Sequence, residues 1–222
     1  KYVDEADVTG WELLWNEKYA GKILTFGNSR DAFGVAQYLL GYSVNTTDKA
    51  ELQACADKLA QQKPLVRQYV MDQIFATMEG ENAWIGTYYA GDCMLMMDNN
   101  PDLRFYLPEH QGFNLFTDAM CIPKGSQEKE AAEKFIDFLC NPEISGANMD
   151  YICYASPISE AKEHMEEYLA ESEIVYPNEE LLKKGTSYQF LSEEISRYVE
   201  SLYQGATKIN DTSGGEEPSG SP

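Results

Sequence analysis

Basic side chains are scarce in this chain: 17 lysines and arginines stand against 37 aspartates and glutamates over 222 residues, a formal charge of −20 at pH 7. A surface of that sign cannot displace counterions from phosphate, so nucleic-acid binding and the reading of anionic membranes are excluded as function classes. Histidine is scarcer still, with only His110 and His164, and neither has a partner at metal-ligand or Cys-His spacing. Apolar runs of about eighteen residues, the length that spans a bilayer as a helix, are missing. So are a nucleophile elbow, a G-x-x-x-x-G-K-[ST] loop and a G-x-G-x-x-G turn, which leaves catalysis and a cofactor without a local signature. The cysteines Cys55, Cys93, Cys121, Cys140 and Cys153 are odd in number and show no C-x-x-C pair, so neither a disulfide framework nor a zinc site is expected. All five are expected to pack as small hydrophobes. The chain opens on Lys1 rather than Met and shows no apolar leader, which reads as a processed or truncated piece whose signal or anchor lies outside it.

What is present is enough for a core: 43% of residues are hydrophobic and 12% aromatic. Thr9 and Glu12 form a capping-box pattern ahead of Leu13 to Tyr19, which predicts a short helix. Lys22 to Phe26 predicts a buried strand, and Gly27-Asn28-Ser29 hands it to a helix over Asp31 to Leu40 that stops at Gly41. Asp48 with Glu51 opens a second amphipathic helix that runs to Pro64. Further along, the pattern predicts helices over 70–78, 92–98, 126–140, 142–151, 160–169 and 188–204 and strands over 83–89, 103–107 and 115–122. Alternating strand and helix predicts an α/β arrangement with mainly parallel strands flanked by helices. From Thr212 the sequence is a Gly/Ser/Pro/Glu tail without apolar residues, and disorder is expected there.

Candidate chemistry gathers where predicted strands hand over to helices, the usual ligand edge of an open α/β sheet. Asn28 and Asp31 sit at the first such junction, where helix capping explains them as readily as ligand binding. Tyr88, Tyr89 and Asp92 sit at the second, and Phe116 with Asp118 at a third. Each pairs an aromatic face, which attracts cations and covers methylenes, with a carboxylate that accepts charge-assisted hydrogen bonds from ammonium groups. Such rings equally well belong to a core, and the Met94, Met96, Met97 cluster reads as packing. Asp31 and Asp92 also fit a glycosidase-type acid pair, although any acidic protein offers such pairs.

Joined segments narrow these alternatives. Gly10-Trp11-Glu12-Leu13-Leu14-Trp15-Asn16, Ser29-Arg30-Asp31-Ala32-Phe33, Leu40-Gly41-Tyr42-Ser43-Val44-Asn45-Thr46-Thr47-Asp48, Tyr89-Ala90-Gly91-Asp92, Asp118-Ala119-Met120-Cys121-Ile122-Pro123-Lys124-Gly125 and Tyr154-Ala155-Ser156-Pro157 occur in an order that resembles the spermidine/putrescine-binding proteins of polyamine ABC transporters. The resemblance runs from about Thr9 to Gln204. It implies a type II periplasmic-binding-protein fold, two α/β lobes joined by hinge crossings, and a polyamine held in the cleft between carboxylates and aromatic rings. Asp31 matches the family's central carboxylate, and Asn28 an amine-binding aspartate, so an amide replaces a charge there. Tyr89 and Phe116 fall where the family has stacking tryptophans, Asp118 where it has the carboxylate two residues later, and Gln189 matches a glutamine.

In that family a lobe precedes the Trp11 region, so the resemblance implies an incomplete second lobe. Residues 1–117 are then the ligand-binding lobe, 118–172 a remnant of the other lobe, 173–206 a return segment and 207–222 a disordered tail. The function implied is a non-enzymatic extracytoplasmic receptor that captures spermidine or putrescine and hands it to a permease, without cofactor or metal. The same fold with another small cationic or polar metabolite, or a fragment that binds nothing and serves as an interaction module, stays open. Self-association through the apolar faces of the incomplete lobe is expected.

Overall fold

A computed structural model describes residues 1–208, and at its centre lies strand β1 (Ile23–Phe26), buried along its whole length. A strand covered on both faces needs a continuous apolar run, and Ile23-Leu24-Thr25-Phe26 nearly supplies one. The chain passes through helices α1 (Ser29–Leu40) and α2 (Lys49–Gln62) and returns as β2 (Val66–Val70), parallel to β1. Helix α3 (Ile74–Glu79) leads to β3 (Ile85–Gly86), parallel on the other side, so the order is β2-β1-β3. Helix α4 (Ala90–Asn99) follows, then strand β4 (Phe113–Leu115). Helices α5 (Lys129–Leu139), α6 (Pro142–Ile152), α7 (Glu167–Ala170) and α8 (Glu179–Leu182) precede β5 (Gly185–Ser187), which pairs in parallel with β4. Helix α9 (Glu193–Thr207) closes the described chain.

Helices cover both faces of the β1 sheet. On one, Ile23 and Phe26 meet Phe33 of α1, Leu52, Cys55 and Leu59 of α2, and Ile195, Val199 and Tyr203 of α9. On the other, Leu24 and Val70 meet Ile74 and Met78 of α3 and Met96 of α4. Side chains of this size contribute about 1.5–3 kcal/mol each on full burial, so these two clusters hold the site-bearing strand ends in place. A third cluster joins Met94 of α4 to Cys153, Leu169 and Val175, so the chain beyond α6 packs back against α4. The α/β arrangement with parallel strands is the one expected.

Several local expectations give way to tertiary structure. Thr9 bonds Glu12 through side chains only, and residues 11–15 form a 3-10 turn, because the Trp11 N–H that a helix cap would take donates instead to Gln111 Oε1 at 2.6 Å. The stretch expected as a helix from Val70 begins as strand: Val66–Val70 pairs with β1, and helix starts only at Ile74. Residues 103–107 and 116–122 are irregular; β4 finds a partner only over three residues, and 116–121 are exposed. The strand at 83–89 shrinks to Ile85–Gly86, and 160–169 divides between a 3-10 turn at Ser159–His164 and α7. The closing helix starts at Glu193, where Ser192 accepts from the Ile195 N–H, rather than at Tyr188.

Cys55 and Cys153 are buried as expected, but Cys121 and Cys140 are exposed, since the segments that carry them have little packed over them. Met94 and Met96 are core residues, as expected. Thr207, expected at the start of the tail, is the last residue of α9 and donates to the Tyr203 carbonyl. The remaining tail, residues 209–222, lies outside the described residues.

Candidate ligand-binding site

Strand β1 ends at Gly27, packed so close to β2 that a Cβ there would lie 3.2 Å from the Val70 carbonyl oxygen. Asn28 follows with extended backbone, and its Oδ1 accepts the Asp31 N–H at 2.9 Å, capping α1. The same side chain donates from Nδ2 to Asp31 Oδ2 at 2.8 Å. Capping of α1 and orientation of the Asp31 carboxylate are thus one arrangement, and the cap expected of Asn28 is formed. Asp31 Oδ2 takes a second hydrogen bond, 2.6 Å, from the Tyr89 hydroxyl, which stands between β3 and α4.

From Tyr89 a line of rings leads to a second acid. Phe116 meets Tyr89 edge-on with centroids 5.4 Å apart, and Tyr154 meets Phe116 at 6.2 Å. The Tyr154 hydroxyl donates to Asp92 Oδ2 at 2.8 Å. Tyr154 stands directly on Gly91, where a Cβ would come within 2.4 Å of its ring, so a side chain at that position would displace it. Tyr88 packs beside Tyr89, centroids 4.9 Å apart, and donates to Asp72 Oδ1 at 3.0 Å.

Burial raises the Asp92 carboxyl, the Tyr154 hydrogen bond opposes this, and the nearby charge of Asp72 adds to it. Burial, and then the adjoining carboxylates, push the hydroxyls of Tyr88, Tyr89 and Tyr154 well above the usual range, which keeps them neutral donors. Among the described residues no lysine or arginine lies within ion-pair distance of Asp31, Asp72 or Asp92. Carboxylates separated by aromatic rings and held in no ion pair suit a ligand with ammonium groups at its ends and methylenes between them. Among the described residues no group of three or more His, Cys, Asp or Glu side chains is placed to hold a metal ion.

Of the residues singled out in the sequence, Asn28, Asp31, Tyr89 and Phe116 come together. Asp118 does not join them: it lies on the exposed stretch after β4 and makes no side-chain hydrogen bond among the described residues. Gln189 presents an exposed side chain, and its backbone is what is held, with its N–H donating to Asn45 Oδ1 at 2.8 Å. Sequence reasoning weighed Asp92 only as a weak candidate, grouped Arg30 with Asn28, Ser29 and Asp31 at the first junction without giving it a role, and did not name Tyr154, Asp72 or Asn45 as site residues. The usable signals were Gly91, which makes room for a ring, and the Tyr154-Ala155-Ser156-Pro157 motif.

Residues 6–184 match the family model described as bacterial extracellular solute-binding protein. The spermidine/putrescine-binding periplasmic protein of Escherichia coli (strain K12) is 30% identical over 184 residues, 82% of this chain and 52% of the relative. The norspermidine sensor of Vibrio cholerae is 26% identical over 75% of this chain and 47% of its own. Among solved structures, the spermidine/putrescine ABC transporter substrate-binding protein of Streptococcus pneumoniae superposes with a TM-score of 0.79 at 30% identity, covering 93% of this chain and 64% of that one. The chain therefore spans about half the length of the curated relatives it matches, and the fold is the type II α/β fold of transporter binding proteins with one lobe incomplete. The E. coli and S. pneumoniae proteins are substrate-binding proteins rather than enzymes, and the E. coli relative is periplasmic. With the family model covering most of its length, the chain belongs to the bacterial extracellular solute-binding protein family.

Proposed function

We propose that the chain is the ligand-holding part of an extracytoplasmic polyamine receptor, which captures spermidine or putrescine in an acidic, aromatic-lined cleft for delivery to an ABC permease. The observation that carries this reading is the line Asp31, Tyr89, Phe116, Tyr154, Asp92, whose two carboxylates join no ion pair among the described residues. One ammonium group would sit at Asp31, a second at Asp92, and the intervening methylenes against the rings. Asp72, bonded to Tyr88, adds a third negative charge on the Asp92 side.

The chain divides on this reading into a ligand-binding lobe over 1–117, an incomplete lobe over 118–172 and a return from 173 onward. Strands β4 and β5 support it, since they run side by side where the chain leaves and re-enters. The packing of Cys153, Leu169 and Val175 on α4 favours, on the same reading, a return that starts before 173.

Isothermal titration of the chain with spermidine and putrescine tests the proposal. Saturable heat that is lost in Asp31→Ala is the expected result. Absence of heat with either amine, from protein shown to be folded by circular dichroism, would sink the reading for this chain.

A further inference from the structure

Arg30 precedes Asp31 on α1, and it is the guanidinium whose field reaches that carboxylate. An arginine this near the carboxylate is a potential competitor for a ligand ammonium, since bidentate arginine–carboxylate pairs are strong. In the structure it is directed elsewhere. Its guanidinium carbon lies 4.4 Å from the centre of the Tyr188 ring, and Nη2 donates to Asn45 Oδ1 at 3.0 Å and toward the Gln189 carbonyl at 3.4 Å. Asn45 in turn grips both sides of Tyr188: Nδ2 donates to the Ser187 carbonyl at 3.0 Å, and Oδ1 accepts the Gln189 N–H at 2.8 Å. The Tyr188 hydroxyl fits over Gly34, where a Cβ would come within 2.1 Å of it. Among the described residues no ion pair within 4 Å joins Arg30 to Asp31 or to any other acid.

We infer that Asn45, Tyr188 and the backbone of Gln189 form a clasp that holds the Arg30 guanidinium off Asp31 and so keeps that carboxylate available to a ligand ammonium. Asn45 is a positioning residue, because it acts on the ligand only through Arg30, whereas Tyr188 also lies close to Asp31, whose charge adds to burial in raising its hydroxyl. The inference gives Gln189, whose side chain faces solvent, a backbone role. It rests on the polyamine reading for its ligand but not for its geometry, so two measurements separate the two claims.

The first is a crystal structure of Asn45→Ala without ligand. The expected result is Arg30 within 4 Å of Asp31; a guanidinium still stacked on Tyr188 overturns the inference whatever the chain binds. The second is titration with spermidine and putrescine of Asn45→Ala, Arg30→Gln and the double variant. Asn45→Ala is expected to bind roughly tenfold more weakly, and the double variant to bind as Arg30→Gln does, because the competing cation is gone. A double variant as weak as Asn45→Ala also overturns the inference, by assigning Asn45 a purely structural effect. If Asn45→Ala does not fold, Asn45→Ser, too short to hold the guanidinium and the strand backbone together, carries the same expectations. Failure of the wild-type chain to bind either amine counts against the polyamine reading alone, and the crystal structure still decides the clasp.

Discussion

Helices α1 and α5 carry the same kind of message and meet different fates. Both are amphipathic and nearly equal in length, yet α1 buries Ala32, Phe33, Val35 and Ala36 while α5 buries no residue and leaves Phe135 59% and Phe138 54% exposed. The difference lies in the neighbours. Helix α1 lies against β1, α2 and α9, whereas α5 meets chiefly α6. An apolar stripe thus specifies that a face wants cover, and only topology supplies the cover. The ligand residues follow the same division: Asp31 rides on the packed helix, and Asp118 lies on the loose stretch that leads to α5.

The largest effect that would sharpen this contrast is on stability. Phe33 is fully buried, so Phe33→Ala should cost about 3–5 kcal/mol, read as a lower urea midpoint. A loss below about 1 kcal/mol would mean that the first cluster is not the core that fixes the site.

Legibility in the sequence divides along similar lines. The caps at Asn28 and Asp48 and the stripes of α1, α2 and α9 could be read, because each is a short-range pattern on an element that pairs with close neighbours. Strand β2 could not: it is an edge strand whose Arg67 and Gln68 face solvent, so the apolar alternation is lost and only pairing with β1 defines it. Residues 115–122 failed the other way, with an apolar look and no strand to pair with beyond Leu115. In the site, Asn28 with Asp31 was legible as a local motif, and Tyr89 and Phe116 from the family resemblance. The bond from Tyr154 to Asp92 crosses 62 residues, and the clasp from Asn45 to Gln189 crosses 144, separations at which no periodicity speaks.

The two carboxylates test the comparison on ligand binding. Asp31 is oriented by Asn28 and Tyr89, so on the polyamine reading Asp31→Ala should weaken spermidine binding by about 2 kcal/mol or more, while Asp118→Ala loses less. Equal losses in calorimetric titration would show that the loose stretch becomes ordered around ligand and that the contrast belongs to the ligand-free state only.

Asp92 should show a trade between stability and binding. Its folded-state pKa is raised, so its charge opposes folding once the group ionises: the Asp92 contribution to stability is fully present below the usual carboxylate range and is lost as pH rises through the raised value. Asp92→Asn lacks that charge. The variant should match or exceed wild type in urea denaturation near neutral pH, and its advantage should shrink on acidification, while polyamine affinity falls. A variant less stable at neutral pH than in acid, relative to wild type, would mean that the Tyr154 hydrogen bond outweighs burial.

The smallest effect is expected on α5. A half-exposed phenylalanine already keeps much of its contact with water, so Phe135→Ala should change monomer stability by no more than about 0.5 kcal/mol, against the several expected for Phe33→Ala. If the stripe of Phe135, Ile136 and Leu139 draws chains together, sedimentation velocity should show association that rises with protein concentration and is abolished by Phe135→Glu, with an unchanged urea midpoint. A concentration-independent monomer for wild type removes self-association, and a Phe135→Ala cost approaching that of Phe33→Ala removes the contrast itself, because it would mean that in solution something already covers α5.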